Sequence, residues 1–533
     1  MENFDENWLP HLNNRPPGIS AYRTDIYAMA SEGWRRGLTL KFIKAPGYNI
    51  SPSLRYSLSD GTKEHIFSVA RGDAVTRDAI RICEEKPLTY YYLKKNNVPI
   101  PEGESFNDTV DDHEIVEYGK KLGFPLVVKP TDGKSGEGVI TNIKTVEELE
   151  KAVKHVREDL DYKNLIIERF IVGIDYRVYV IDGYVAGAYK RITANVIGDG
   201  KSTISELIKL KNLKRKNNPF IKNRSIKINQ DLKDFLKSNN YSLTSIPAEG
   251  ERVYVRAHGT YFKERDPVDV TDDMSENLKQ IAVDAVAAIP GLPHCNVDML
   301  INEEEKIGFI NEINSRPQIS NHLFPMEGKA RDIPKAIIDY YFPETIDNAK
   351  RNKYYFDLPF IYEALWSGNA KEVTVPDVNR GKIISKRFLL TGVDRTRLFD
   401  RNVRKHAILL KLNGYIKTLK SGNISIVVSG TPKRVRQFKD ILNNQLKKRF
   451  KIQSITEKFS SRNLRVGFHI IQNKNDRTEE LENLKSELKK YKNQVNKVKK
   501  EKQQLEDELE SIKNSRSQKI TQPLRTFKSK LKK

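Results

Sequence analysis

A lysine at the end of an apolar run, followed by a glycine-rich loop, is the first candidate for chemistry in this sequence. The run 126–128 is typical of a buried strand and presents Lys129 at its end. Gly133, Gly136 and Gly138 follow within six residues. Such a loop lets backbone N–H groups approach phosphate oxygens because no side chain obstructs them. The spacing is not that of a Walker A loop, and a glycine-rich hairpin turn is the alternative.

A second pattern predicts three oxygen-bearing side chains at one edge of a sheet. Glu312 and Asn314 are two residues apart on a predicted strand, so they share a face. Asp298, on a neighbouring predicted strand, would complete an all-oxygen cluster of the kind that Mg²⁺ prefers. Earlier in the chain, the apolar run 165–171 offers backbone groups to an adenine, and Asp175 offers a carboxylate to ribose hydroxyls. The alternative for this run is an ordinary buried strand.

Together and in this order, these patterns resemble the ATP-grasp superfamily, in particular the ATP-grasp part of cyanophycin synthetases and of bifunctional glutathione synthetases. The resemblance runs from Cys83 to Pro343, which is roughly half of the chain. Its most specific segments are 168–177 and 190–204, and 314–317 matches the segment that follows the family's metal ligands. The implied fold class is α+β, with an ATP-grasp domain at 83–345 behind an N-terminal region, 1–82.

The resemblance also implies site residues, position by position. ATP contacts are implied for Lys86, Lys129, Gly133, Lys134, Ser135, Gly136, Gly138, Glu168, Arg169, Phe170, Ile171 and Asp175. Metal ligands, for Mg²⁺ or alternatively Mn²⁺, are implied at Asp298, Glu312 and Asn314. Catalytic roles are implied for Arg191 and Asn314, and substrate carboxylate contacts for Arg177, Arg316 and His322.

The implied activity is that of an ADP-forming carboxylate–amine ligase that works through an acyl phosphate, in cell-envelope, peptide or polymer biosynthesis. Small-molecule substrates, an amino acid or a peptide among them, are expected. Segment 256–267 departs from the family's glycine-rich segment, so the acid and the amine stay open. The rival interpretation is a non-catalytic scaffold that binds an anionic polymer or membrane surface.

The scaffold interpretation depends on the excess of basic residues in the chain. The net charge is +23, and residues 380–475 contain 24 basic and 4 acidic residues. Such an excess predicts a surface for an anionic partner, with a solvated basic face as the alternative. Nucleic acid is disfavoured because neither a helix-turn-helix pattern nor the aromatic residues of RNA recognition accompany the basic runs.

Residues 380–475 resemble acylphosphatase. This resemblance implies a ferredoxin-like α/β sandwich that follows a linker at 346–379. Helices are predicted at 407–412 and 435–442. The family's catalytic arginine and asparagine align with Asp400 and Thr418, and Arg401 replaces the arginine only with a one-residue slip. We therefore expect anion binding without hydrolysis.

A heptad pattern follows at 476–514 and predicts a coiled coil that joins a parallel homodimer, or alternatively one amphipathic helix. Its core positions are Leu481, Leu484, Leu488, Tyr491, Val495, Val498, Lys502, Leu505, Leu509 and Ile512. The tail, 515–533, has seven basic residues and no acidic one, and we expect it to lie on an acidic membrane surface. With no secretory signal and no apolar span, a cytoplasmic protein, peripheral at the inner membrane face, is expected.

Overall fold

The computed structural model describes residues 8–13, 19, 22–44, 54–133, 137–257, 261–348, 354–377, 382–393, 395–471, 493–496, 498, 501–508 and 511. The chain divides into two compact units, residues 1–381 with 462–466, and residues 382–461 with 467–533. Among the helices in the described ranges, none is long and apolar enough to cross a membrane.

The first unit mixes helices and strands along its whole length. Its helices are α1 (Tyr22–Arg35), α2 (Arg77–Glu84), α3 (Lys86–Lys95), α4 (Asp112–Leu122), α5 (Val146–Lys154), α6 (Ile204–Asn217), α7 (Gln230–Ser238), α8 (Glu276–Ala287), α9 (Ser320–Leu323), α10 (Ile333–Tyr341) and α11 (Leu358–Trp366). Its strands are β1 (Thr39–Lys44), β2 (Leu54–Ser59), β3 (Glu64–Ser68), β4 (Arg71–Gly72), β5 (Gly103–Phe106), β6 (Leu126–Pro130), β7 (Ile140–Ile143), β8 (Leu165–Arg169), β9 (Ile174–Ile181), β10 (Tyr184–Ile192), β11 (Asn195–Ile197), β12 (Arg252–Tyr254), β13 (Asp266–Asp269), β14 (His294–Asn302), β15 (Ile307–Asn314), β16 (Tyr354–Tyr355) and β17 (Glu372–Thr374).

An antiparallel sheet in the order β17–β1–β2–β3–β4 forms the N-terminal part of this unit. Alternate residues of β1 are buried, with Leu40 opposite the buried Leu58 and Phe42 opposite the buried Tyr56 of β2. This period of two turns one face of the sheet toward the core, where α1 contacts both strands.

The strand that carries Lys129 lies inside a second sheet, β5–β8–β6–β7. Strand β6 is buried along its whole length, and its Leu126 and Val128 share a core with α4 and α5. Helix α4 begins after Asp111, whose side chain accepts a backbone hydrogen bond, and is followed by its C-cap residue Gly123 with φ of 87°. Glycine adopts this conformation without the steric cost of a Cβ, so the chain turns there into β6.

A third sheet, β13–β10–β9–β14–β15, is antiparallel and carries most of the remaining candidate residues. Strand β14 pairs with both β9 and β15, and the register puts Asp298 opposite Arg177 on one side and Glu312 on the other. The alternate residues Val297 and Met299 are buried in the core that includes residues of α8. The polar residues therefore lie on one face and the core on the other.

The second unit is an α/β sandwich. It contains β18 (Ile384–Thr391), α12 (Arg397–Leu409), β19 (Asn413–Thr418), β20 (Ile424–Gly430), α13 (Pro432–Ile441), α14 (Lys447–Arg449), β21 (Ser454–Phe459) and β23 (Phe468–Ile471), while β22 (Leu464–Arg465) belongs to the first unit. The order β21–β18–β20–β19 is the ferredoxin-like one, and β23 adds an edge parallel to β19.

The helix predicted at 407–412 was placed wrongly. The helix is Arg397–Leu409, and Lys411, with φ of 50°, lies in the turn that follows it. The second predicted helix is α13, which continues as a π-helical turn through Leu446.

In the heptad region, helix is described at 493–496 and 501–508. Val495, Val498 and Leu505 are mostly exposed there. The other heptad positions, Lys502 excepted, and the basic tail lie outside the described residues.

Candidate active site

Lys129 is the centre of a buried polar cluster. Its Nζ donates hydrogen bonds to Glu168 Oε1 at 2.6 Å, to the Tyr90 hydroxyl at 3.0 Å and to Asn311 Oδ1 at 3.3 Å. Burial by itself lowers the pKa of Lys129, but Tyr90 and Glu168 outweigh it and the net shift is upward. The ammonium therefore stays charged, as a contact to phosphate requires.

Tyr90 belongs to this cluster although no sequence pattern indicated it. It lies on α3, four residues after Lys86, and its hydroxyl lies 3.2 Å from Glu168 Oε2. Burial raises the pKa of Tyr90 to about 12, so the hydroxyl stays protonated. The sequence Tyr90-Tyr-Tyr on a helix gives no means to tell which ring faces the site.

Asn311, the other unpredicted member, is placed by a β-bulge. Asp298 pairs with Glu312, but the next residue of β14, Met299, pairs with Ile310, so Asn311 is the extra residue. A bulge re-aims a side chain, and here it brings that of Asn311 to the charged ammonium. The signal in the sequence that could have indicated Asn311 is its polar side chain directly before Glu312, a predicted metal ligand.

Lys86 lies beside the glycine-rich loop. Its Nζ donates to the backbone oxygen of Gly133 at 3.4 Å, and burial lowers its pKa while the charge of Glu312 opposes that shift. A Cβ on Gly133 would lie 2.4 Å from the Cγ atom of Pro130, so a side chain there would collide with the end of β6. Gly138 has φ of 71°. The predicted loop residues Lys134, Ser135 and Gly136 lie outside the described residues.

Asp298, Glu312 and Asn314 come together as predicted from their strand positions. Asp298 Oδ1 forms an ion pair with the Arg177 guanidinium at 2.6 Å and accepts a hydrogen bond from the Asn314 amide at 3.3 Å. Burial raises the pKa of Asp298 to about 7, with Arg177 opposing the shift and Glu312 adding to it. In the part of the chain that the structure describes, no hydrogen bond or ion pair engages the Glu312 carboxylate.

These three residues fit a divalent cation shared with phosphate. All the donors are oxygens, and the mutual repulsion of two carboxylates is what a cation relieves. Two acids and one amide do not make a closed protein site. Consistently, no group of three or more His, Cys, Asp or Glu side chains within the described ranges could hold a metal.

Asp175 and Arg191, predicted to hold ribose and phosphate separately, contact each other. Arg191 donates to the Asp175 carboxylate, and Arg265 lies 3.5 Å from the same oxygen. Both Arg191 and Asp175 are partly exposed, with 29% and 24% of their side chains accessible. The pair is therefore open to exchange with a ligand.

The predicted substrate residues have three different environments. Arg177 is engaged by Asp298, as described above. His322 is buried, its Nε2 is 3.5 Å from Asn296 Oδ1, and burial lowers its pKa to about 3, so it is neutral. Arg316 is exposed.

Arg71, which no motif indicated, extends the site toward the N-terminal sheet. It lies on β4, and its guanidinium donates to Ser315 Oγ at 3.2 Å. Burial lowers the pKa of Arg71, and the charge of the neighbouring Arg316 adds to the shift. Within the described ranges neither arginine forms an ion pair, so the two are suited to an anionic group of a substrate.

The predicted adenine-lining segment is the end of β8 and the residues after it. Glu168 faces Lys129, whereas Arg169 points away and pairs with Glu102 at 2.9 Å. The backbone N–H of Phe170 donates to Pro125, and Ile171 is half-buried.

The second unit has its own arginine–carboxylate pair at the acylphosphatase-like loop. The Arg395 guanidinium donates to both carboxylate oxygens of Asp400 at 2.9 and 3.0 Å and to Thr418 Oγ1 at 3.0 Å. Asp400 and Thr418 are the positions predicted from the sequence to align with the catalytic arginine and asparagine of acylphosphatase. The charge of the Arg395 guanidinium is therefore already neutralised by Asp400 of the same unit.

Comparisons with known proteins give the same order of domains along the chain as the sequence analysis. Residues 83–206 match the RimK-like ATP-grasp domain, and residues 386–470 match Acylphosphatase. A cyanophycin synthetase of Trichormus variabilis is 30% identical over 59% of this chain and 34% of its own length. The glutathione biosynthesis bifunctional protein GshAB of Clostridium perfringens is 32% identical over 54% of this chain and 37% of its own length.

This chain thus spans about a third of the length of these relatives. The crystal structure of a bifunctional glutathione synthetase from Pasteurella multocida aligns at 25% identity over 54% of this chain and 40% of its own, with a TM-score of 0.45. The chain carries a RimK-like ATP-grasp domain followed by an acylphosphatase-like domain.

Proposed function

We propose that this chain is an ADP-forming carboxylate–amine ligase that works through an acyl phosphate. The observation that carries the proposal is the approach of the Lys129 cluster to the Asp298–Glu312–Asn314 cluster through the adjacent residues Asn311 and Glu312. Phosphate-binding cations and metal-binding oxygens are thereby neighbours. The relatives named as a cyanophycin synthetase and a glutathione biosynthesis protein support the formation of an amide bond.

In the first step, a substrate carboxylate oxygen attacks the γ-phosphorus of ATP, and the bond from that phosphorus to the β-phosphate oxygen breaks. In this proposal Lys86 and Lys129 bind phosphate oxygens. Arg191, once released from Asp175, neutralises the charge that spreads over the transferred group. A bound Mg²⁺, held by the oxygens of Asp298 and Glu312, would supply further charge neutralisation.

In the second step, the amine nitrogen attacks the acyl carbon, inorganic phosphate leaves, and the nitrogen loses a proton. Water must be excluded while the acyl phosphate exists, because it would hydrolyse this intermediate. In this proposal Arg71 and Arg316 bind an anionic group of the acid or of the amine. Acidic amino acids and peptides with a free carboxyl terminus are therefore the substrates to test first.

The test is ADP and phosphate release by the full chain with ATP and Mg²⁺, screened against amino acids, dipeptides and cell-envelope precursors. Hydroxylamine should replace the amine and give a hydroxamate from the acid, because it intercepts an acyl phosphate. ADP release that depends on an acid, with hydroxamate formation, supports the ligase. Nucleotide binding without turnover across the screen would instead favour a scaffold.

A further inference from the structure

The outward face of α12 in the second unit combines cations with exposed aliphatic side chains. The inner residues Phe399, Val403 and Ala407 are buried in the core of the unit. On the outer face, Leu398, Ile408 and Leu409 are 52%, 51% and 67% exposed. The exposed cations of the same helix are Arg397, Arg401, Arg404 and Lys405.

These residues form one continuous surface. Positions 398, 401, 405 and 408 are separated by three, four and three residues, which is the spacing of one helix face. The acidic residue of α12, Asp400, lies on the inner flank and is engaged by Arg395. The outer face of α12 therefore presents no carboxylate, and it is called the cationic–aliphatic face below.

The lysine-rich turn α14 lies beside α12. The Arg449 guanidinium is 3.5 Å from Asn402 Oδ1, and the Phe399 and Phe450 rings are 5.0 Å apart. A shallow recess of about 530 Å³ opens at this turn. It is lined by Asn443, Asn444, Lys447, Lys448, Lys451 and Ile452. Three lysines around a recess suit a phosphate group.

The exposed aliphatics decide which anionic partner fits. A dissolved polyanion satisfies the cations but leaves the three aliphatic side chains in water. Single-stranded nucleic acid is bound largely by aromatic stacking, and this face of α12 carries no aromatic residue. An anionic bilayer offers both phosphates and an apolar phase a few ångströms below them.

We propose that the second unit docks on anionic membranes through the cationic–aliphatic face of α12, with lipid phosphates contacting the lysines of α14. The proposal is independent of the ligase function, since none of these residues belongs to the candidate active site.

The test is co-sedimentation of the full chain with phosphatidylcholine vesicles, with and without phosphatidylglycerol. Wild-type protein should bind only the vesicles that contain phosphatidylglycerol. Arg401→Glu/Lys405→Glu should lower the affinity about thirtyfold or more, because each basic residue near an anionic surface contributes about 1 kcal/mol. Ile408→Ser/Leu409→Ser should also lower it, and what binding remains should be abolished by salt.

The matched control is Lys420→Glu/Lys458→Glu, which makes the same charge change at two exposed lysines outside α12 and α14. It should retain vesicle binding. If the α12 variants bind vesicles as well as this control, the helix is not the membrane contact. If the serine variant binds vesicles like the wild type while the charge variant loses affinity for RNA or polyphosphate, the face serves soluble polyanions and the proposal is wrong.

Discussion

Asp298 and Glu312 lie directly opposite each other on β14 and β15, and the pairing register breaks immediately beyond them. The break inserts Asn311, whose Oδ1 accepts a hydrogen bond from Lys129 at 3.3 Å. Asn311 and Glu312, consecutive residues of one strand, thus belong to the Lys129 cluster and to the proposed metal site respectively. Such a bulge couples the position of one group to that of the other.

Glu312→Gln should abolish turnover without unfolding the protein. The Glu312 side chain is half-buried and lacks a hydrogen bond within the described ranges, so the amide costs little stability. The loss of one metal-binding charge should lower acid-dependent ADP release about a hundredfold or more. The matched control is Glu305→Gln, in the exposed turn between β14 and β15. Unchanged activity of Glu312→Gln at limiting Mg²⁺ would remove this residue from the metal site.

Lys129→Met should weaken ATP binding and also destabilise the protein. The substitution leaves the carboxylate of Glu168 buried without its cationic partner, which costs roughly 3–5 kcal/mol. Adding Glu168→Gln should recover most of that stability but not the affinity for ATP. Urea unfolding and calorimetric titration with a non-hydrolysable ATP analogue separate the two effects. Wild-type nucleotide affinity in the double variant would show that Lys129 does not contact phosphate.

The affinity for Mg²⁺ should rise with pH because Asp298 must ionise. Burial raises the pKa of Asp298 from 3.8 to about 7, so the protonated form stabilises the metal-free fold. This contribution is complete below the unfolded pKa and is lost as the pH rises through about 7. Mg²⁺ binding displaces the proton and should be tighter at about pH 8 than at about pH 6.

The stabilisation by Mg²⁺ against urea unfolding measures this effect without turnover. Asp298→Asn should remove its pH dependence and weaken it at the higher pH. A wild-type response that is the same at both values of pH would place the metal elsewhere.

The sequence predicted the oxygen cluster well because strand periodicity is local. Once Glu312 and Asn314 are on one strand, their shared face follows, and Asp298 needs only a neighbouring strand. Tyr90, Asn311 and Arg71 were missed for a different reason.

The position of Tyr90 in the site depends on which side of α3 packs inward, and that of Asn311 depends on a β-bulge. The position of Arg71 depends on a sheet that lies outside the segment with the family resemblance. Long-range packing sets each of these positions, and no local pattern encodes it. The misplaced helix in the second unit has a similar origin. The apolar run 407–412 includes the end of the helix and the turn after it, while the charged first turns of α12 gave a weaker signal.

The second unit should not hydrolyse acyl phosphates. Hydrolysis needs a free guanidinium that binds the phosphate and a side-chain amide that orients water. The charge of Arg395 is neutralised by Asp400, and Thr418 has a hydroxyl instead of a side-chain amide. Asp400→Ala should therefore increase affinity for inorganic phosphate without creating activity. Phosphate titration and benzoyl phosphate hydrolysis are measured in the full chain with Glu312→Gln, to suppress ligase turnover. Hydrolysis by the parent protein would contradict this assignment.

The heptad region should join two chains. Val495, Val498 and Leu505 are 53%, 63% and 65% exposed, so this stretch of one chain leaves its apolar stripe in water, and a partner helix would bury it. Lys502 occupies the next core position and pairs with Glu506 at 3.5 Å. One polar core residue limits the oligomeric order at a cost in stability. Lys502→Leu should therefore raise the midpoint of dimer dissociation, while the same change at exposed Lys420 should not.

Deletion of 476–533 should give a monomer with near-normal ligase turnover, and a truncated chain that sediments as a dimer would assign the interface to another part of the protein.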